Sequence, residues 1–530
     1  METGVSGKQL TRFKLTLIQP EQDRFHNVEP GDVCYDPFYR PHGPTPWGVP
    51  HEAIIPVEHV NIDGKDLLHY TPEKDYHMLL YSVLEWASPS IRVKDEFKDC
   101  IRIKLCLNAG NAPFRSGNLK ICGEVLQTVD DVSYDQFLQH YRQMIGEEAD
   151  LMEDLGNVSE LQNWQTVLPR YPFFVVHPWM YNIYQHNKIP LFFYSENDVR
   201  HTYHASLKLS DILYMQQLTD DGWVDTPPDF DYLEGVDKDT KLEIPRMRGF
   251  FFNYPDAEIE KRKNDLKLYY EMKARGEDVR DMFNGEYHFI DMLAPPETKS
   301  INPIRYGESI NIKLHTDTGC VAILGCMRNM EVDSKTMRAK VDGRYDRANY
   351  TTNHRDAKTG WSPISKIGLD MGGNPIISLS DGRRFEKGYP KGAFPSRPYT
   401  KGHVAIALSN DTTCTNPEVS TVLAGISASL QLVCGNTDIF LNNTETDNKS
   451  NVPKLKLVSK MNLVDLGSSS SSSLSKLSDD DPKKSESEET QLFLPCVRQV
   501  VKRWYRIVYS EKDKKFIVVT DMSELNKSII

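Results

Sequence analysis

Short runs of β-forming and apolar residues recur through both halves of this chain, and nowhere do they alternate with helical patterns. Candidate strands in the first half are 13–18, 77–86, 100–107, 173–177 and 190–194. The second half offers 309–314, 320–327, 375–379, 403–408, 426–433, 503–508 and 515–519. Short strands separated by turn-rich stretches belong to β-sandwiches, whereas a doubly wound α/β fold needs strand-helix alternation. The 31 prolines and 31 glycines supply the turns. The length of 530 residues fits two all-β domains of the larger kind.

The stretch 119–213 carries the clearest pattern. It opens on an apolar run from Leu119, broken at Gly123, where a strand needs a bulge or bend. Tyr134, Phe137, Leu138 and Tyr141 then fall at i, i+3, i+4, i+7, one face of a short helix. A polar loop leads to Ile189-Pro190-Leu191-Phe192-Phe193-Tyr194-Ser195, and Ala205, Leu207 and Leu209 alternate with polar neighbours like a half-buried strand. The junction between halves is expected near 220–246, an acidic stretch with Pro227-Pro228. Residues 256–284 form the one long helical pattern, densely charged, with Gly285 as the expected C-terminal glycine and Gly276 weakening its middle. Residues 466–490, with a serine run and clustered aspartates and glutamates, cannot bury enough apolar surface to offset ordering and are expected to be a disordered loop.

A net charge of −12 opposes nonspecific contact with nucleic acid, so no direct genome binding is expected. The nine cysteines include no Cys-x-x-Cys pair and lie mostly in strand-like runs, which favours reduced, buried thiols over zinc sites or a disulfide framework. The opening residues lack an apolar leader, and no apolar run approaches the roughly 18 residues of a membrane span. Folding in a reducing cytosol is therefore expected. The Asn-x-Ser/Thr triplets at Asn157, Asn349, Asn410, Asn442, Asn448 and Asn526 then read as chance.

The sharpest enzymatic pattern is His315-Thr316-Asp317 at a strand end, the His-x-Asp of a non-haem iron facial triad, with His354 or His403 as the distal ligand. No arginine follows His403 closely enough to hold a 2-oxo acid, and a polar strand residue followed by a turn explains the triplet better. His42, His51 and His59 with Glu52 and Glu58 form a second possible metal cluster. Their proline-rich surroundings exclude the helical spacing of a zinc protease and suit an extended arm, 36–56, that packs on a neighbour. His201 and His204, beside Tyr203, are expected to be hydrogen-bonded. No phosphate-binding glycine loop or nucleophile elbow occurs, and Gly372-Gly373 before Asn374 is hairpin chemistry. Exposed tryptophans and tyrosines leave a carbohydrate-binding sandwich as the weakest alternative.

The order strand, Cys122-Gly123, short helix, loop, Pro190-Leu-Phe-Phe-Tyr-Ser195 resembles the first jelly roll of the major capsid proteins of nucleocytoplasmic large DNA viruses. Residues 307–329, Asp381-Gly-Arg-Arg-Phe385, 402–411, 420–432 and Arg503-Trp-Tyr-Arg-Ile-Val-Tyr509 are similar to segments of that family's second roll. The family has paired glycines where this chain has Cys122-Gly123. The resemblance implies an all-β fold of two consecutive jelly-roll β-sandwiches with loop and short helical insertions. It divides the chain into an N-terminal arm, 1–30, a first roll, 31–240, and a second roll, 241–530. It also implies a structural protein without catalytic residues, cofactor or metal, which self-assembles as a pseudo-hexameric homotrimer into an icosahedral capsid. Expected partners are neighbouring capsomers, minor capsid or penton proteins and an inner membrane, in a virion assembled in the host cytoplasm. The alternatives are a poxvirus-type assembly scaffold of the same fold and, in a different class, an Fe(II)/2-oxo-acid dioxygenase using His315 and Asp317.

Overall fold

The computed structural model describes residues 49–521 except 63–64, 185–186, 196–197, 221, 280–281, 297–301, 316–318, 331–348, 353–359, 389–391, 415–424, 436–491 and 511–513. The expected arm 1–30, the loop 466–490 and the strand 13–18 lie outside the described residues.

The first half runs β1 (Val49–Ile55), β2 (Val57–Ile62), β3 (Lys65–Tyr70), β4 (Met78–Ser88), β5 (Ile91–Val93), β6 (Ile101–Leu105), β7 (Phe114–Ile121) and β8 (Glu124–Asp130). After the helix Asp131–Tyr141 come β9 (Val167–Leu168), β10 (Tyr171–Val175), β11 (Ile189–Pro190), β12 (Val199–Ala205), β13 (Leu213–Thr219), β14 (Gly222–Thr226), β15 (Leu233–Glu234) and β16 (Arg246–Asn253). The helix Asp256–Ala274 leads to the second half: β17 (Glu286–Leu293), β18 (Ser309–Lys313), β19 (Cys320–Met330), β20 (Ile364–Met371) and β21 (Asn374–Asp381). It ends with β22 (His403–Ala407), β23 (Ala428–Cys434), β24 (Leu492–Ser510) and β25 (Lys515–Thr520).

Two sandwiches result. In the first, the sheet β1-β16-β4-β10 faces β2-β3-β12-β7-β8, and two small sheets, β14-β13-β6 and β15-β5-β9, flank them. In the second, β17-β24-β19-β22, with β25 beside β24, faces β18-β23-β20-β21. Every named pairing is antiparallel, including those between strands far apart in the chain, such as β1 with β16 and β19 with β24.

Strand periodicity divides the second sandwich between two cores. On β19 and β24, Ile323, Met327, Phe493, Val497 and Val501 point inward and meet Ile367, Leu369, Leu430 and Leu432 of the opposite sheet. Their alternate neighbours Ala322, Leu324 and Val500 join the core of the first sandwich. Buried on both faces, β19 reads as the continuous run CVAILGCM, whereas β23, with one covered face, alternates buried and half-buried residues.

Several sequence expectations change. The second half does not begin at 241: β16 lies between β1 and β4, and buries Met247, Phe250 and Phe251 in the first core. Residues 49–55 of the expected arm are β1, a strand of that sheet. The 190–194 strand shortens to β11 and a 3-10 turn, Leu191–Phe193, because proline cannot donate to a ladder. Of the bulge or bend expected at Gly123, the structure shows the bend: Cys122 and Gly123, at φ of 52° and 86°, make the two-residue turn between β7 and β8. Gly276 ends the long helix rather than weakening it: at φ 77° its N–H bonds Lys273 O, and Glu277 N–H bonds Met272 O, a Schellman motif. Gly372-Gly373 does form the hairpin between β20 and β21.

Candidate functional site

The helix Asp131–Tyr141 is the element through which the first sandwich grips the second. Asp130 caps it: its carboxylate accepts from Ser133 N–H at 2.7 Å, and Ser133 Oγ accepts from Asp130 N–H at 2.8 Å. Of its eleven residues all but Asp131 are buried. The expected stripe Tyr134, Phe137, Leu138, Tyr141 packs into the first core, and the opposite face is covered by the second sandwich.

That opposite face is polar and matched. Arg498 donates to Asp130 at 2.5 Å and Arg328 to Asp131 at 3.1 Å. Burial opposes ionisation of Asp130, but the Arg498 charge and the Ser133 bonds outweigh it and hold the carboxyl below its ordinary 3.8. For Asp135 burial wins and lifts the carboxyl to about 7, although Tyr350 OH donates to it at 2.7 Å and Asn108 at 3.0 Å. Gln136 donates to Cys326 Sγ at 3.2 Å and to Cys496 O at 3.3 Å. Gln139 accepts from the Tyr399 and Thr400 N–H groups, and Tyr141 OH donates to Thr412 O.

Beyond the helix, Gln127 donates to Ile290 O, Asn187 to His288 O, and Arg503 to both Leu126 O and Asp291. Each bond satisfies a group that would otherwise be buried unpaired, so rotating one sandwich on the other would break many at once. The chemistry of this seam is mechanical: it sets the angle between two sandwiches. The helix is legible in the sequence but its second face is not, because Gln136, Gln139 and His140 read as solvated positions until another domain covers them.

The residues singled out for chemistry are dispersed. His315 donates through Nε2–H to Ala294 O at 2.9 Å, and its backbone is clamped by Gln499. Asp317, His354 and His42 lie outside the described residues. His403 is fully buried, with Tyr350 edge-on at 4.6 Å, and burial holds its imidazole well below 6.5. Glu52 and Glu85 bind Arg248, and His59 is bonded to Asp66 at 2.9 Å, so β1 and β2 do not gather a metal cluster. Glu58 and His51 lie on those strands, His51 against the Tyr76 ring. His201 bonds Tyr181 OH as expected, and His204 is exposed on β12. Among the described residues no three His, Cys, Asp or Glu side chains converge as metal ligands. A cleft of about 340 Å³ beside the long helix is lined by charges of both signs, including Glu73, Lys74, Glu260 and Lys263.

No family model matches this sequence, and no curated protein matches it by sequence. Among solved structures it is similar to PBCV-1 VP54, as fitted into a reconstruction of the virophage Sputnik. That pair is 11% identical with a TM-score of 0.55, over 91% of this chain and 99% of that one. A quasi-atomic model of the PBCV-1 virus capsid gives 11% identity and a TM-score of 0.51, over 88% and 97%. The Faustovirus major capsid protein gives 6% and 0.55, over 94% and 98%. At such identities the likeness is one of fold. It extends over both sandwiches, and the chain has the all-β double jelly-roll fold.

Proposed function

We propose that this chain is a structural virion protein, the repeating subunit of an icosahedral shell. The observation that carries the reading is the near-complete coverage of capsid proteins by one fold, both sandwiches included. The seam supports it physically. Two sandwiches held at a fixed angle by buried hydrogen bonds and ion pairs make one stiff block, and three blocks around a threefold axis present six sandwiches in a near-hexagonal outline that tiles a lattice. The activity is self-assembly, and no residue is assigned a catalytic role. Its partners are two copies of itself, neighbouring capsomers, minor capsid or penton proteins and an underlying membrane. Its place is the virion, with assembly in the host cytoplasm.

The test is the mass of the purified full chain by light scattering, with a metal assay on the same sample and electron microscopy of concentrated protein. A metal-free trimer of the 60.8 kDa chain that forms hexagonal arrays is expected. An iron-loaded monomer that consumes a 2-oxo acid overturns the reading and restores the oxygenase alternative.

A further inference from the structure

We propose that Cys326 and Cys496 form a redox-active dithiol at the seam, which a peroxide converts to a disulfide. Three geometric observations carry it, and none depends on the shell reading.

The two residues face each other directly in the antiparallel register of β19 and β24. Opposed residues on such strands have Cα atoms roughly 4.5–5.5 Å apart, inside the range a disulfide spans. Both side chains are buried on the same face, in one small cluster with Val132 and Tyr350.

Charge around the pair favours a thiolate. Arg328 and Arg498 stand two positions along from each cysteine, hence on the same sheet face, at either end of the pair. Each guanidinium is buried and keeps an Nε–H with no hydrogen-bond acceptor among the described residues. Gln136 donates to Cys326 Sγ at 3.2 Å. The thiols are also differentiated. The bond from the Cys326 thiol, together with the two arginine charges, holds Cys496 below the ordinary value of 9.0 against the effect of burial. Burial pushes Cys326 up. Cys320, Cys414 and Cys434 are raised to about 12, chiefly by burial, with the Asp411 charge adding at Cys414 and the Glu308 charge at Cys434. One thiolate-prone sulfur beside one protonated sulfur is the arrangement of a nucleophile and its resolving partner.

The chemistry balances. The Cys496 thiolate attacks the O–O bond of hydrogen peroxide, forming a sulfenic acid; the hydroxide released takes up the proton that Cys496 gave up on ionising. Cys326 sulfur then attacks Cys496 sulfur, forming the S–S bond, and the departing hydroxide leaves as water with the Cys326 proton. Two thiols are oxidised, and one peroxide is reduced to two waters. The bond would fasten β19 to β24 beneath the helix of the first sandwich and close the chain between positions 326 and 496.

The full chain is treated with hydrogen peroxide, alkylated in denaturant, digested and analysed by mass spectrometry. A linked Cys326–Cys496 peptide, reversed by phosphine, is expected in the native protein and in C320S, and is expected to be lost in both C326S and C496S. Should the seam variants fail to fold, the native protein supplies a second measurement. Its melting temperature is expected to rise by about 5 °C on oxidation, as loop closure predicts, and to return on reduction. Folded native protein in which both cysteines are alkylated separately after peroxide, or in which either links elsewhere, overturns the proposal.

Discussion

The two sandwiches share a fold and solve the problem of filling it differently. The first is packed with aromatic rings, and a group of them bond one another through their polar ends: Tyr203 OH accepts from Trp179 Nε1 at 3.0 Å and shares a bond with His177 at 3.0 Å. His177 reaches Asn111, and Tyr181 OH links Ser82 to His201. The second core is aliphatic, drawn from Ile323, Ile364, Ile367, Leu369, Val404, Ile406, Leu430, Leu432, Val497 and Val501, with Phe385 and Phe493 as its buried rings. A polar aromatic network admits few arrangements and tolerates few losses, whereas branched aliphatics hold by volume and pattern and accept substitutes of similar size. The seam is an extension of the first strategy, because the large core of the first sandwich continues through it to Tyr287 and Tyr505.

The most damaging way to break this contrast is Trp179→Ala, which opens a cavity and removes a donor to Tyr203. A loss of about 3–5 kcal/mol in a denaturant titration is expected. Acid discriminates on a similar scale. His177 and His201 in the first core and His140 at the seam are pushed by burial to about 3, and His403 is lowered in the same sense. Above 6.5 both folded and unfolded chains hold these rings neutral. Below it the unfolded chain takes up protons that the folded one refuses, so stability falls with pH from 6.5 towards 3, by about 1.4 kcal/mol per pH unit per histidine. Asp135, lifted to about 7, acts oppositely: between 7 and 3.8 the folded chain holds a proton that the unfolded one has lost, and acidification offsets about one histidine. Melting followed by hydrogen exchange between pH 7 and 4 should therefore loosen the first sandwich and the seam before the β18-β23-β20-β21 sheet, whose four strands carry no histidine.

Finer substitutions sharpen the comparison. Tyr203→Phe keeps the ring and removes the group shared by His177 and Trp179, so about 1–3 kcal/mol should be lost. Leu432→Met in the aliphatic core should cost less than about 1.5 kcal/mol in the same titration. Equal losses at the two positions would erase the proposed difference. Gly276→Ala, which forces a side chain into φ 77° with open space around it, should lower the melting temperature by the equivalent of about 1 kcal/mol and leave both cores intact.

Alternation and turn chemistry are written locally, and they determined most of the architecture. The strands 320–327, 403–408 and 515–519, the hairpin at Gly372-Gly373 and the short helix around Phe137 could be read from spacing, because backbone period and side-chain burial are properties of neighbours in the chain. Tertiary structure decided the rest. Nothing near Arg246 says that β16 closes the first sheet, since which strand fills the gap between β1 and β4 depends on partners far away in sequence. Nothing near Gln136 or Arg498 says that they are buried, since each becomes so only when the other's sandwich arrives. Polar residues read as solvent-facing until a long-range contact replaces the water, and that replacement built the seam.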